Sequence, residues 1–196
     1  FTTDSFVVSP LFFSGGDIGK LAVCGTVNDL VMQAGVPQYL SLALIIEEGL
    51  DYNTLEKIVD SISINAKKAG VYFVTGDIKV VEKGACDKIF INTSGIGRII
   101  DNKKLSIKNI EPNDLVIITG QIAQHGLAVL AKRKELDLGF NIKSDCAALG
   151  DLIIPILKKT EAIKFMRDPT SGGVATTLNE IAQNSGLAVI IDEKNI

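Results

Sequence analysis

A mixed α/β (α+β) fold in two domains is predicted from three observations. Strand-like and helix-like segments alternate through the first half of the chain. A clear amphipathic helix, "NTLEKIVDSISINAKKAG", stands between apolar β-rich runs. A polar stretch from Asp101 to Asp114, carrying Pro112, then divides the chain into residues 1–102 and 103–196.

"SFVVSPLFF" is β-rich and is broken by Gly15 and Gly16. "IGKLAVCGTVNDLVMQAG" has helical length, and Gly35 with Pro37 just beyond is a stop signal. "YLSLALIIEE" reads as a buried strand. In the next helix Leu55, Ile58, Val59, Ile62 and Ala66 follow helical spacing, Asn53 and Glu56 suit a capping arrangement, and Gly70 ends it. "VYFVTGDIKVVE" and "KIFINTSGIGRII" are strands joined by a turn near Lys83 and Gly84. The second half starts with a strand, "LVIITG", followed by helices near Gly126–Leu136 and Leu149–Lys159. It continues with a short strand "IKFMR", a helix after "DPTSGG", and a strand "LAVIID". Neither end reads as a natural terminus, so both are expected to lie inside a longer protein.

Bulk properties narrow the function classes. The 196 residues are 46% hydrophobic and 22% charged, which suits a buried core. A net charge of −3 with no basic stripe excludes a nucleic-acid surface. No apolar run approaches the roughly 20 residues a bilayer span needs, so no membrane partner is expected. Cys24, Cys86 and Cys146 are odd in number and widely spaced, and His125 is the only histidine. Zinc and a disulfide framework are therefore rejected, a reducing cytoplasm is expected, and each cysteine reads as a small buried apolar residue.

Acids fall where a core should be. Asp29 sits beside Asn28 in a helix apolar on nearly every side, and an unpaired buried carboxylate costs several kcal/mol. Either the two polar groups organise helix packing or Asp29 ligates a cation. Asp4 shares a strand face with Thr2 and Phe6, as an edge-strand charge or as a ligand. Asp77 ends a strand in "VTGD", with Gly76 allowing close backbone approach and Lys79 two residues on. An acid for metal and a cation for phosphate is one reading, and a turn Asp with a solvated Lys is the other. Oxygen ligands without Cys or His clusters suit Mg²⁺, which fills its shell with water and substrate phosphate, so a converging acid set implies a nucleotide.

"DPTSGGVATTLNEIA" is a helix entrance shaped for an anion. Gly172 and Gly173 clear the way to unpaired N–H groups at the positive end of a helix dipole. Pro169 stiffens the entry, Thr170 and Ser171 cap or donate, and Asp168 holds a metal or orients the loop. No Gly-Lys-Ser/Thr follows, so this is not a Walker A loop. His125 and Gly126 open a second helix, where a histidine serves as acid–base group, phosphate contact or structural donor.

These segments together resemble the HypE family of hydrogenase maturation proteins. The runs "PLFFSGGDIGKLAVCGTVND", "TGDIKVVEKGACDKIFINT", "HGLAVL", "SDCAALGDLI" and "DPTSGGVATTLNEIA" carry the resemblance in family order across nearly the whole chain. The wider superfamily, with aminoimidazole ribonucleotide synthetase, selenophosphate synthetase and thiamine-monophosphate kinase, shares only the sparse acid pattern. The resemblance implies a PurM-like two-domain fold. Its N-terminal domains dimerise through strands of a shared β-barrel, and its C-terminal mixed-sheet domain is expected to be truncated here. It implies Mg²⁺ and ATP, with Asp4, Asp29 and Asp77 at metal positions and His125 near the reaction. Asn28, Gly76, Lys79, Asp168, Thr170, Gly172 and Gly173 fall at cofactor positions.

The implied activity is ATP-dependent dehydration of a carbamoyl group on a C-terminal cysteine to a thiocyanate, which supplies cyanide to [NiFe]-hydrogenase. The carbamoyltransferase HypF and a HypC–HypD complex are the implied partners. The carrier cysteine motif and a further glycine-rich segment are missing from this sequence, Ser171 stands where the family has Arg, and Ile78 where it has Thr. Alternatives are another ATP-dependent small-molecule kinase or synthetase of the superfamily, or a dimerisation and docking module.

Overall fold

The computed structural model describes residues 1–136 and 141–195. Its centre is a four-stranded sheet in the order β1-β6-β4-β5, built from β1 (Thr2–Phe6), β4 (Gly35–Glu47), β5 (Tyr72–Val81) and β6 (Ile89–Ile99). β6 pairs antiparallel with both β1 and β4, and β5 lies parallel to β4. A parallel pair needs a crossover, and α2 (Tyr52–Ala69) supplies it. A small hairpin of β2 (Phe12–Phe13) and β3 (Gly16–Asp17) stands apart.

Helix α1 (Ile18–Met32) packs between this sheet and α2. Along β6, Ile89, Ile91, Thr93 and Gly95 are buried at every second position and turn one face toward the helices. Ile18, Val23, Val27, Val31, Ile58, Ile62, Leu40 and Leu44 complete the core. Asp17 starts α1 by accepting from the N–H groups of Gly19 (2.8 Å) and Lys20 (3.0 Å), and its other oxygen accepts from the Ser61 hydroxyl at 2.7 Å. One carboxylate thus caps α1 and ties it to α2.

Several boundaries differ from the sequence reading. "SFVVSPLFF" is not one strand: Pro10 offers no N–H to a ladder, and β1 and β2 lie on either side of it. α1 ends at Met32, and β4 begins at Gly35 because β6 runs long enough to pair with it there. A register shift between Pro37 and Tyr39 accommodates the proline. α2 is capped by Asp51, which accepts from Thr54 N–H at 2.9 Å, rather than by Asn53 with Glu56. Gly70, at φ 68°, closes it as expected.

The second half carries α3 (Gln124–Lys134), α4 (Gly150–Lys159) and α5 (Gly173–Ser185). The strands expected at "LVIITG", "IKFMR" and "LAVIID" make no ladder among the described residues. Strand propensity reflects packing on a half-buried pleated surface. Leu115, Ile117 and Ile190, at 88%, 83% and 92% exposure, have no such surface here.

Gly19 lets α1 and α2 pack closely. A Cβ there would lie 2.7 Å from the Ile58 carbonyl oxygen and 3.0 Å from an Ile62 side-chain carbon. Backbone cannot yield as a flexible side chain can, so Gly19→Ala is expected to lower stability by about 1–3 kcal/mol. Urea denaturation checks this, and an unchanged midpoint would contradict the packing described.

Candidate functional site

β1 lies against α1 with Thr2, Asp4 and Phe6 turned inward, the face the strand period assigns them. The Thr2 hydroxyl donates to Asp29 Oδ2 at 2.8 Å. A Cβ on Gly25, one turn before Asp29, would lie 2.7 Å from the Phe6 ring and 3.7 Å from Asp4 Oδ2. The missing side chain at Gly25 is therefore what lets β1 bring its acid down onto the helix.

Asp29 opens into a cleft of about 310 Å³ between the sheet side and the segment before α5. Phe1, Leu30, Met32, Ile99, Phe165 and Met166 give this cleft apolar walls, and Arg167 and Asp168 stand with Asp29 on its polar side. Burial pushes the Asp29 carboxyl above its ordinary value; the Thr2 hydroxyl pulls it back, and the charges of Asp168 and Asp4 raise it further. The carboxylates of Asp4 on β1 and Asp168 at the α5 entrance are thus both close enough to repel that of Asp29 on α1.

At that entrance the Thr170 hydroxyl donates to Asp168 Oδ2, and Arg167 pairs with Glu180. No side chain caps α5. Thr170 and Ser171 therefore do not cap the helix, because Thr170 spends its hydroxyl on Asp168. Gly172 and Gly173 both have positive φ, 76° and 70°, and a Cβ on Gly172 would strike the Thr176 side chain. The glycine pair shapes the turn and leaves the first N–H groups of α5 without a side chain over them.

Asp77 lies elsewhere. It sits on β5 at the edge of the sheet opposite β1, beside an open depression of about 590 Å³ that Gly76 also lines. Lys79 binds its carboxylate at 2.7 and 2.9 Å, as the two-residue spacing on an extended strand allows. That pair and the Ile78 N–H hold the Asp77 carboxyl below its usual range. Gly76 is needed for packing within the sheet, since a Cβ would lie 2.6 Å from the Leu42 carbonyl oxygen. Among the described residues no three His, Cys, Asp or Glu side chains are set to enclose a metal by themselves.

Asn28 turns to the second half. Its amide donates to the Ala147 carbonyl at 2.9 Å and accepts from the Leu149 N–H at 2.8 Å. Asn28 and Asp29 are thus not paired with each other. His125 Nδ1 lies 3.0 Å from the Ser144 hydroxyl, and its ring meets Phe13 edge-on at 5.4 Å. Burial lowers its pKa, and Asp145 partly opposes this, so the ring is neutral at pH 7. Sequence reasoning missed Thr2 and Ser144 as partners of Asp29 and His125. The shared strand face of Thr2 and Asp4 was a usable signal, whereas nothing local pointed to Ser144.

Residues 1–99 match the N-terminal domain, and residues 111–196 the C-terminal domain, of the AIR synthase related proteins. The chain belongs to that family. Within it, the HypE proteins are similar along almost the whole chain. It is 50% identical over 196 residues to the carbamoyl dehydratase HypE of Rhizobium leguminosarum bv. viciae, which covers 100% of this chain and 56% of that protein. A solved HypE–HypF complex contains a chain that is 53% identical, with a TM-score of 0.91, covering 99% of this chain and 67% of that one. A HypE structure in complex with ATP is 49% identical, with a TM-score of 0.90, covering 94% and 55%. The chain thus spans little more than half the length of the curated relatives it matches, 56% and 57% for two of them.

Asp29 carries a cost that binding can relieve. Its folded-state pKa is raised, so ionisation favours unfolding: the cost is absent below the unfolded value near ~3.8 and fully present above the folded one. Asp29→Asn, which keeps an acceptor for Thr2, is therefore expected to raise the denaturation midpoint at pH 7. Its advantage should vanish as the pH falls toward ~4. Paired urea titrations across this range check it; an equal advantage at every pH would contradict the origin given.

Proposed function

We propose that this chain forms the nucleotide-binding part of an ATP-dependent carbamoyl dehydratase serving hydrogenase maturation. The observation that carries this is the cleft lined by Asp29 and Asp168, where burial and then the charges of Asp168 and nearby Asp4 raise the Asp29 pKa. Such a group is suited to a cation. Mg²⁺ fits, because it takes one or two carboxylates directly and completes its shell with water and phosphate oxygens. Bound there with ATP, it would supply charge neutralisation for the phosphate chain. The names of the relatives and the solved ATP complex support the nucleotide and the reaction.

In the proposed reaction, the oxygen of a cysteine-borne carbamoyl group attacks the γ-phosphorus and ADP leaves. Loss of phosphate and of two protons from nitrogen then turns R–S–CO–NH₂ and ATP into R–S–CN, ADP and phosphate. Asp29 and Asp4 would hold the metal, and the free N–H groups at Gly172 and Gly173 would receive phosphate oxygens. Asp168 would orient that loop through Thr170, and Asn28 would fix the second half against α1. His125, neutral at pH 7, would take a proton from nitrogen.

Asp77, Gly76 and Lys79 enter this proposal through a second copy. They lie on edge strand β5, where Tyr72, Val74, Ile78 and Val80 are exposed apolar residues. A homodimer through that edge would bring Asp77 and Lys79 of one protomer toward the acid group of the other. HypF as a partner rests on the solved HypE–HypF complex. HypC–HypD rests on the family resemblance, a cytoplasmic setting on the cysteine usage, and the division at residue 102 on the polar stretch that carries Pro112. No described helix is long and apolar enough to cross a membrane.

Calorimetric titration of Mg–ATP tests the proposal. Saturable binding is expected, weakened at least about tenfold by Asp29→Asn, a loss of about 1.4 kcal/mol. Because that variant should be the more stable one at neutral pH, lost binding is not lost folding. No binding, or binding indifferent to both Asp29→Asn and Asp168→Asn, would overturn the nucleotide site. In the full-length enzyme, His125→Gln is expected to lower kcat while leaving the nucleotide Kd within about twofold.

A further inference from the structure

Of the three cysteines expected to be buried, Cys24 is, whereas Cys86 and Cys146 are only partly so. Cys24 lies on α1 one turn before Asn28 and is 3% exposed. Asn28 binds the backbone at Ala147 and Leu149, which lays the segment before α4 along the same face of α1. Cys146 stands in that segment, partly exposed between exposed Asp145 and Ala147. Its N–H donates to the Ser144 hydroxyl at 3.1 Å, and Ser144 is itself held by His125 and by a backbone bond to the Ser14 carbonyl. Both cysteines are free thiols, and the Asn28 bonds bring the Cys146 thiol close enough to Cys24 for each to shift the other's pKa.

The two thiols shift in opposite directions. The Cys146 thiol lowers the Cys24 pKa more than burial raises it, and Lys20 lowers it further. Cys24, with burial, pushes the Cys146 thiol up. Cys24 is the better nucleophile, and Cys146 is the one solvent reaches. Cys86 is apart, its Sγ directed at the Ile45 carbonyl.

We propose that Cys24 and Cys146 form a reversible dithiol–disulfide modification site that takes a peroxide as oxidant and, once oxidised, joins α1 covalently to the segment before α4. The Cys24 sulfur, having given up its proton, attacks one oxygen of hydrogen peroxide, the O–O bond breaks, and the departing hydroxide recovers that proton as a water, leaving a sulfenic acid on Cys24. The Cys146 sulfur attacks that sulfur, and the S–O bond breaks. The departing hydroxide takes the Cys146 proton as a second water. Two thiols and one peroxide thus give one disulfide and two waters, and a dithiol reductant reverses the step by exchange. This inference stands apart from the proposed function, since it needs neither nucleotide nor metal.

Peroxide treatment of the whole chain, followed by alkylation and peptide mass mapping, tests it. The expected result is a peptide pair linked through Cys24 and Cys146, with only Cys86 left to alkylate. Dithiothreitol should reverse the link. Closing so long a loop should also raise the thermal midpoint by about 5–10 °C. Cys146→Ser should abolish the linked pair and the thermal shift, and Cys86→Ser should leave both intact. Full alkylation of all three thiols after peroxide, or oxidation confined to Cys86 or to links between chains, would overturn the proposal.

Discussion

Burial of α1 on nearly every side is the constraint the rest of the structure answers to. Ile18, Ala22, Val23, Val27 and Val31 are fully excluded from solvent and face the sheet, α2 or the second half. A helix in that position has no solvated face on which to place polar groups. Each polar side chain it carries must then find a partner, because an unsatisfied buried group costs about 1–3 kcal/mol. α1 is accordingly a row of specific cross-links. Asp17 joins Ser61, Thr26 shares a hydroxyl bond with Thr93, Asn28 takes the backbone of residues 147–149, and Asp29 takes Thr2.

These links run to different parts of the chain, so they set its arrangement as well as its stability. Thr93 also donates to the Ala22 carbonyl at 3.2 Å, fixing α1 against β6. Asp17 does the same for α2, and Asn28 for the second half. Asp29 differs from the others because one hydroxyl does not compensate its charge. Its neighbours Asp4 and Asp168 worsen its position, and its pKa rises. In a helix where other polar groups gain partners, a carboxylate placed among like charges is a local conflict. Such conflicts concentrate at functional sites, where a ligand relieves them.

The sequence made much of this visible for physical reasons. Helical spacing located α2, and Gly70 located its end. The uniform apolarity of α1 announced its burial, and that made Asn28 and Asp29 conspicuous. The two-residue period placed Thr2, Asp4 and Phe6 on one inward face. What stayed hidden was decided by residues far apart in sequence. The cap of α2 is Asp51 rather than Asn53, a competition between neighbouring candidates that local pattern does not resolve. "LVIITG" has strand propensity, but a strand also needs a neighbour to pair with, which propensity does not report. The partners of Asn28 lie 119 and 121 residues away, and Cys146 meets Cys24 across the same junction. Gly76 is legible as a residue needed for close approach, but what approaches it is the Leu42 carbonyl.

The sheet order gives the acidic residues their final meaning. β1 and β5 are opposite edges, so Asp4 and Asp77 stand at the two ends of a four-strand row. Strands in a sheet are about 4.8 Å apart, which puts two such edges on the order of 14 Å from each other. A magnesium ion with ligands at about 2.1 Å cannot be shared across that span within one chain. The carboxylates therefore form two separate groups, one around Asp29 and one at Asp77. Asp77 also differs in kind: it is exposed, neutralised by Lys79 and lowered in pKa, whereas Asp29 is half-buried and raised. A site that used both would have to combine edges from two protomers.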